Sequence, residues 1–182
     1  MRASVPPVAS VPNAAMTTTC RMRLPDALAT ERAGRALARG LTGGMVVTLS
    51  GDLGAGKTTF ARGVLRGLGW TGPVKSPSYT LLEHYPLSSI YLYHFDFYRF
   101  ANPEEWETLG AAEGFTPRSV ALVEWPERVA EYLPPADLAV RLAPATEGDG
   151  RTLELAATTT AGERCVNAIA AALAAPPPSA SR

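Results

Sequence analysis

Cysteine is scarce in this chain: there are two, Cys20 and Cys165. They stand far apart and lack the paired spacing of metal ligands. They read as two unpaired thiols in a reducing compartment. Lysine is as scarce, with Lys57 and Lys75 against fifteen arginines. Neither sign of charge is in excess, and the formal net charge is zero. A protein that grips nucleic acid by itself carries a basic surplus, so autonomous tight binding to RNA or DNA is disfavoured. No run reaches the ~18 apolar residues that a membrane helix needs. The N-terminus lacks the apolar core of a signal peptide. Internal repeats are also lacking. These absences predict a soluble cytoplasmic protein with no membrane partner.

What is present fits one domain of about 150 residues with tails. The apolar fraction, 46%, is ordinary for a globular chain. One stretch organises the rest: Gly51-Asp52-Leu53-Gly54-Ala55-Gly56-Lys57-Thr58. An apolar run, Met45 to Leu49, precedes it and ends in Ser50. A helical segment, Thr58 to Leu68, follows. Strand, glycine-rich loop and helix, with the spacing G-x-x-x-x-G-K-S/T, describe a phosphate-binding loop. The glycines let the backbone curl so that successive N–H groups point at a phosphate. The helix start adds free donors and the positive end of its dipole. Lys57 can reach the β- and γ-phosphates, the Thr58 hydroxyl can ligate Mg²⁺, and Thr59 can reach the α-phosphate. The near absence of other lysines sharpens the point, because Arg cannot replace a compact ammonium between phosphates.

Residues 1–16 are Ala, Pro, Ser and Val with almost no charge, and read as a disordered extension. Met16 is an alternative start, which N-terminal sequencing decides. Residues 17–175 form the single domain, and 176–182 a disordered Pro-rich tail. Thr17 to Leu24 alternates as a strand. Pro25-Asp26 opens a helix to Leu41, and Gly43-Gly44 turns into the loop strand. Lys75 to Thr80 is polar and leads to a strand ending near Tyr85. Ile90 to Phe97 is a Tyr/Phe-rich strand carrying Asp96. Asn102-Pro103-Glu104-Glu105 reads as a helix start with Asn102 as its cap. Ser119 to Val123 is a buried-type strand ending at Glu124, followed by a short helical stretch from Trp125-Pro126 to Leu133. Asp137 to Leu142 and Arg151 to Ala156 form a hairpin. An Ala-rich helix runs from Ala161 to Ala174. The expected fold is α/β: a P-loop NTPase-like, mostly parallel or mixed sheet, flanked by helices on both faces, with a C-terminal hairpin.

A phosphate-binding loop needs an acid to complete its Mg²⁺ site, normally at the end of a neighbouring apolar strand. Asp96 and Glu124 both fit. One holds the metal while the other orients the attacking water, and the pattern leaves the division open. His94, on an aromatic strand, reads as packing or hydrogen bonding. Trp125 either covers the nucleotide or packs in the core.

Together these segments resemble the TsaE family, also called YjeE. The likeness rests on the loop Gly51 to Thr59, Lys75-Ser76-Pro77-Ser78-Tyr79-Thr80-Leu81, His94-Phe95-Asp96-Phe97-Tyr98-Arg99 and Leu122-Val123-Glu124-Trp125-Pro126. It spans roughly residues 18–156. The resemblance implies an ATPase of bacterial tRNA threonylcarbamoyladenosine synthesis that binds ATP and Mg²⁺. It implies a TsaD-type transferase and a TsaB-type scaffold as partners, with tRNA reached only through that complex. By position it makes Lys57, Asp96 and Glu124 catalytic, and Thr58 and Glu124 the metal ligands. It puts Asp52, Leu53, Gly54, Ala55, Gly56, Lys57, Thr58, Thr59, Trp125 and Arg151 at the nucleotide. Residues 75–81 resemble a switch that responds to the γ-phosphate. Ser78 departs from the family's usual Thr but keeps a hydroxyl. The base-proximal position at the first helix falls on Asp26 or Ala27.

Three rivals keep the loop. A small-molecule kinase needs an acceptor pocket and an Arg-bearing lid, and no lid-like insertion stands out. A GTPase needs an N-K-x-D segment, and no Lys follows Lys75. A nucleotide-dependent adaptor binds without useful hydrolysis, and acid-to-Ala variants separate it from an ATPase.

Overall fold

The computed structural model describes residues 18–146 and 148–175. The readings of 1–16 as an extension, of Met16 as a start and of 176–182 as a tail lie outside them. Seven strands make one sheet: β1 (Thr18–Leu24), β2 (Val46–Ser50), β3 (Leu82–Pro86), β4 (Tyr91–Asp96), β5 (Ser119–Glu124), β6 (Leu138–Pro144) and β7 (Arg151–Ala157). Their order is β1-β7-β6-β2-β5-β4-β3. The middle four, β6-β2-β5-β4, run parallel. Antiparallel pairing adds β7 and β1 on one flank and β3 on the other. The sheet is therefore mixed, with a parallel centre.

Burial explains this division. All six residues of β5 are buried, as a central parallel strand covered on both faces requires. In β1 the residues alternate, with Thr19, Arg21 and Arg23 exposed, the signature of a strand wet on one side.

Among the described residues four α-helices flank the sheet: α1 (Ala27–Leu37), α2 (Lys57–Gly67), α3 (Pro103–Thr108) and α4 (Thr160–Ala174). Asp26 caps α1, its carboxylate accepting from the Ala29 N–H at 2.7 Å. Thr159 caps α4 through Gly162. On one face α1, α2 and α4 cover a core that includes Leu37, Leu49, Phe60, Leu65, Val140 and Ile169. On the other face a smaller aromatic core holds Phe95, Phe97, Val123, Trp106, Phe115 and Tyr132. Helices thus stand on both faces, but unevenly. On the second face Thr19, Arg21, Ala139 and Arg141 stay exposed.

Helices α1 and α2 touch backbone to backbone. A methyl at Gly34 would overlap the Phe60 carbonyl oxygen, and one at Gly63 would overlap that of Glu31. The contact fixes where α1 starts relative to the loop preceding α2.

Two local expectations are corrected. Asn102 sits at the start of α3 with extended backbone, but its side chain makes no capping bond. Pro103 and the acids Glu104 and Glu105 supply the start instead. The stretch from Trp125 to Leu133 holds only a 3₁₀ turn, Pro126–Arg128. Pro134 and Pro135 follow too soon for a longer helix to propagate.

Candidate functional site

The site lies at the carboxyl ends of β2, β5 and β4. The loop between β2 and α2 curls through Gly51, Gly54 and Gly56, all at positive φ. That conformation favours glycine. Gly56 then stands as the N-cap of α2 with no side chain over the helix end, which leaves the first N–H groups open to an anion.

Lys57 is 5% exposed. Its ammonium donates to the carbonyls of Gly51 at 2.6 Å and Asp52 at 3.0 Å. An ammonium has three donors, so one remains for a ligand. The ammonium also sits 4.2 Å from the centroid of the Trp125 ring. Burial lowers the Lys57 pKa from its ordinary 10.5, while Glu124 and then Asp96 pull it back up.

Asp96 and Glu124 are paired neighbours on β4 and β5. They are 3% and 2% exposed. Asp96 accepts from the Ser76 hydroxyl and, at 3.0 Å, from the Tyr98 N–H. Glu124 Oε1 lies 2.9 Å from His94 Nε2. A cavity of about 520 Å³ opens in front of both acids. Lys57, Thr58, Asp96, Glu124 and Trp125 line it, and Leu53 stands at its rim with most of its side chain exposed.

A second cavity, about 340 Å³, lies across the loop. Asp26, Ala27, Asp149, Gly150 and Arg151 line it. Gly54, Gly56 and Thr59 line both cavities, so the loop is the wall between them. Arg151 donates from Nε to the Ala55 carbonyl at 3.1 Å and from a terminal nitrogen to that of Gly54 at 3.3 Å. Asp52 and Ala55 meet the loop through backbone, with the Ala55 N–H donating to the Asp52 carbonyl at 3.1 Å.

Among the described residues no group of three His, Cys, Asp or Glu is arranged to hold a metal. The Thr58 hydroxyl and two carboxylates on one cavity wall are an all-oxygen donor set, which suits Mg²⁺ with water and phosphate completing the shell. No helix among the described residues is long and apolar enough to cross a membrane.

Three residues carry more than the sequence pattern assigned them. His94 holds an acid of the site. Ser76 ties the 75–81 segment to Asp96. Arg99 lies over the Tyr79 ring, 4.5 Å from its centroid, and joins the same segment to the end of β4. Two polar residues twenty positions apart give no local signal for such a pairing.

A family model described as Threonylcarbamoyl adenosine biosynthesis protein TsaE matches residues 24–153. The tRNA threonylcarbamoyladenosine biosynthesis protein TsaE of Haemophilus influenzae is 46% identical over 124 residues, covering 68% of this chain and 77% of that protein. The protein of the same name from Bacillus subtilis is 48% identical over 91 residues, covering 50% of this chain and 56% of that one. The crystal structure of Bacillus subtilis YdiB superposes with a TM-score of 0.72 at 31% identity, over 86% of this chain and 97% of that one.

Proposed function

The chain belongs to the TsaE family, and from that premise we propose that it binds Mg-ATP and hydrolyses it to turn over a tRNA threonylcarbamoyladenosine-modifying complex. One observation carries the reading. A phosphate-type loop, a buried Lys57 and two buried carboxylates from adjacent parallel strands face one cavity.

The triphosphate lies along the loop, over the amides at the start of α2. Lys57 places its charge on the β- and γ-phosphates, in a water-poor wall where that charge acts strongly. Thr58 and Glu124 are the residues that would hold Mg²⁺, and the ion would supply charge neutralisation at the phosphates. Asp96 orients the attacking water in line with the γ-phosphate. Trp125 shields the Lys57 side of the cavity. The base and ribose take the second cavity, beside Asp26, Ala27 and Arg151. Residues 75–81 respond to the γ-phosphate through Ser76 and Asp96.

The partners are a TsaD-type transferase and a TsaB-type scaffold, with tRNA engaged through them. The zero net charge supports indirect rather than autonomous contact with tRNA. The cytoplasm is the compartment in which this complex works.

The test is phosphate release from Mg-ATP by the purified chain, with and without the two partner proteins, with Lys57→Ala as control. Slow release that rises with the partners and vanishes in the control is expected. Release that needs a small-molecule acceptor, or ignores the partners, overturns the reading.

A further inference from the structure

His94 is fully buried on β4, two residues before Asp96 and on the sheet face of Leu92 and Leu122, opposite the aromatic core. Its Nε2 lies 2.9 Å from Glu124 Oε1. An ionised carboxylate only accepts, so Nε2 is the donor in this pair. Nδ1 is buried and, among the described residues, has no hydrogen-bond partner. Buried polar atoms are normally paired. A residue that served packing alone would avoid that cost by being apolar, and a polar hub would use both nitrogens. Among the described residues His94 makes one side-chain bond, and that bond is to Glu124.

The geometry has a direction. Glu124 lines the main cavity and His94 does not. The imidazole sits behind the carboxylate and acts through it. A Glu side chain has three rotatable bonds, and Oε1 is fixed by the ring. The second oxygen, Oε2, is left to serve the cavity.

We infer that His94 is a positioning residue: it ties down one oxygen of Glu124 and aims the other at the metal and phosphate end of the cavity. This rests on the reading of Glu124 as a metal-holding acid. Partners behind a metal-ligating group commonly govern affinity by 10- to 100-fold.

The experiment is a Mg²⁺ titration of mant-ATP binding to the full chain, read by fluorescence, with matched binding in EDTA. Replacing His94 by Phe is expected to raise the Mg²⁺ midpoint about 10-fold. Affinity in EDTA should stay within about 3-fold, because no phosphate contact is touched. The H94Q variant, whose amide nitrogen can take the place of Nε2, is expected to recover most of the wild-type midpoint. In a Glu124→Gln background, H94F should add nothing further, since the two act as one unit. This background strands no buried charge, so it carries the test if H94F alone does not fold. A folded H94F with an unmoved midpoint overturns the inference, as does a further 10-fold loss in the Glu124→Gln background. If Glu124→Gln itself leaves the midpoint unmoved, the metal-holding reading fails and the inference falls with it. A shifted Glu124→Gln beside an unshifted H94F overturns the inference alone.

Discussion

The Lys57 ammonium lies over the Trp125 ring, 4.2 Å from its centroid, while two carbonyls of its own loop hold it in place. The ring is the ammonium's apolar neighbour and, on the proposed reading, a reporter of phosphate binding. Lys57→Ala is expected to weaken nucleotide binding about 10- to 100-fold, or roughly 1.5–3 kcal/mol, as a charge-assisted phosphate contact is lost. Trp125→Leu removes a cation–π contact worth roughly 0.5–2 kcal/mol. It should also abolish most of the intrinsic fluorescence change on adding ATP. If Trp125→Leu keeps the full signal, the change comes from Trp70 or Trp106, and the assignment of Trp125 to the nucleotide fails.

Proton linkage at Lys57 gives a second prediction. Its folded pKa lies below the ordinary 10.5, chiefly through burial. Between the lowered value and 10.5 the folded chain binds fewer protons than the unfolded one, so this group's contribution to stability improves as pH rises through that window. Below the window the buried charge is a constant cost. A bound triphosphate favours the ammonium and reverses the shift. Nucleotide binding at alkaline pH should therefore take up protons. Calorimetry in buffers of different protonation enthalpy measures this, and the uptake should vanish in Lys57→Met. No uptake in the wild type would contradict a phosphate contact at Lys57.

Arg151 bridges the β6–β7 hairpin to the loop through the Gly54 and Ala55 carbonyls. Its removal leaves the loop intact in sequence but less constrained. Arg151→Ala should weaken ATP binding about 3- to 30-fold, the equivalent of one or two partly exposed hydrogen bonds. Thermal stability should drop little. Arg151→Lys should not rescue, because a point charge cannot span two carbonyls as a planar fork does. Equal affinity in all three proteins would place Arg151 outside the nucleotide site.

Gly63→Ala puts a methyl against the Glu31 carbonyl. Overpacking of this kind costs roughly 1–3 kcal/mol, so the melting temperature should fall by several degrees. Gly69→Ala is the contrast. Its added methyl meets no neighbour, and its cost comes only from positive φ.

The two thiols should differ sharply. Cys165 is fully buried in the main core, and burial raises its pKa to about 11. It stays a neutral thiol across the physiological range, and the thiolate is the reactive form. Alkylation of the native chain followed by mass spectrometry should find Cys165 unmodified until denaturant is added. Labelling of Cys165 in the native state would mean that α4 opens readily.

Much of this was legible because the local signals agree. The loop announces itself through three glycines, one lysine and one hydroxyl at fixed spacing. The run Ser119 to Val123 has the unbroken apolar character of a central parallel strand. Asp26 before an Ala-rich segment marks a helix start that its carboxylate does cap. What stayed hidden depends on contacts between distant residues. The edge position of β1 beside β7 needs a register that no local pattern gives. His94 reads from sequence as packing or hydrogen bonding, and it does make a hydrogen bond, but the partner, Glu124, lies thirty residues away on another strand, where no local pattern points to it. Asn102 misled in the other direction: the residue type suits a cap, and the side chain does not make the bond.

The glycine contact between α1 and α2 also governs how the molecule can move. α1 begins at one cavity and α2 at the loop that walls off the other. With carbonyls seated against Gly34 and Gly63, little side-chain bulk separates the helices to take up displacement. The wall of the second cavity and the glycine-rich loop are therefore held as one frame. The other side of the larger of these two cavities is braced differently, by side chains rather than by close-packed backbone. There the 75–81 segment meets the site through a Ser76–Asp96 bond and an Arg99–Tyr79 stack, and it is pinned at its end, where Leu81 enters the aromatic core and its carbonyl accepts from the Asp96 N–H at 3.0 Å. Any rearrangement of residues 75–80 on that side must therefore pivot about Leu81, at the root of Asp96.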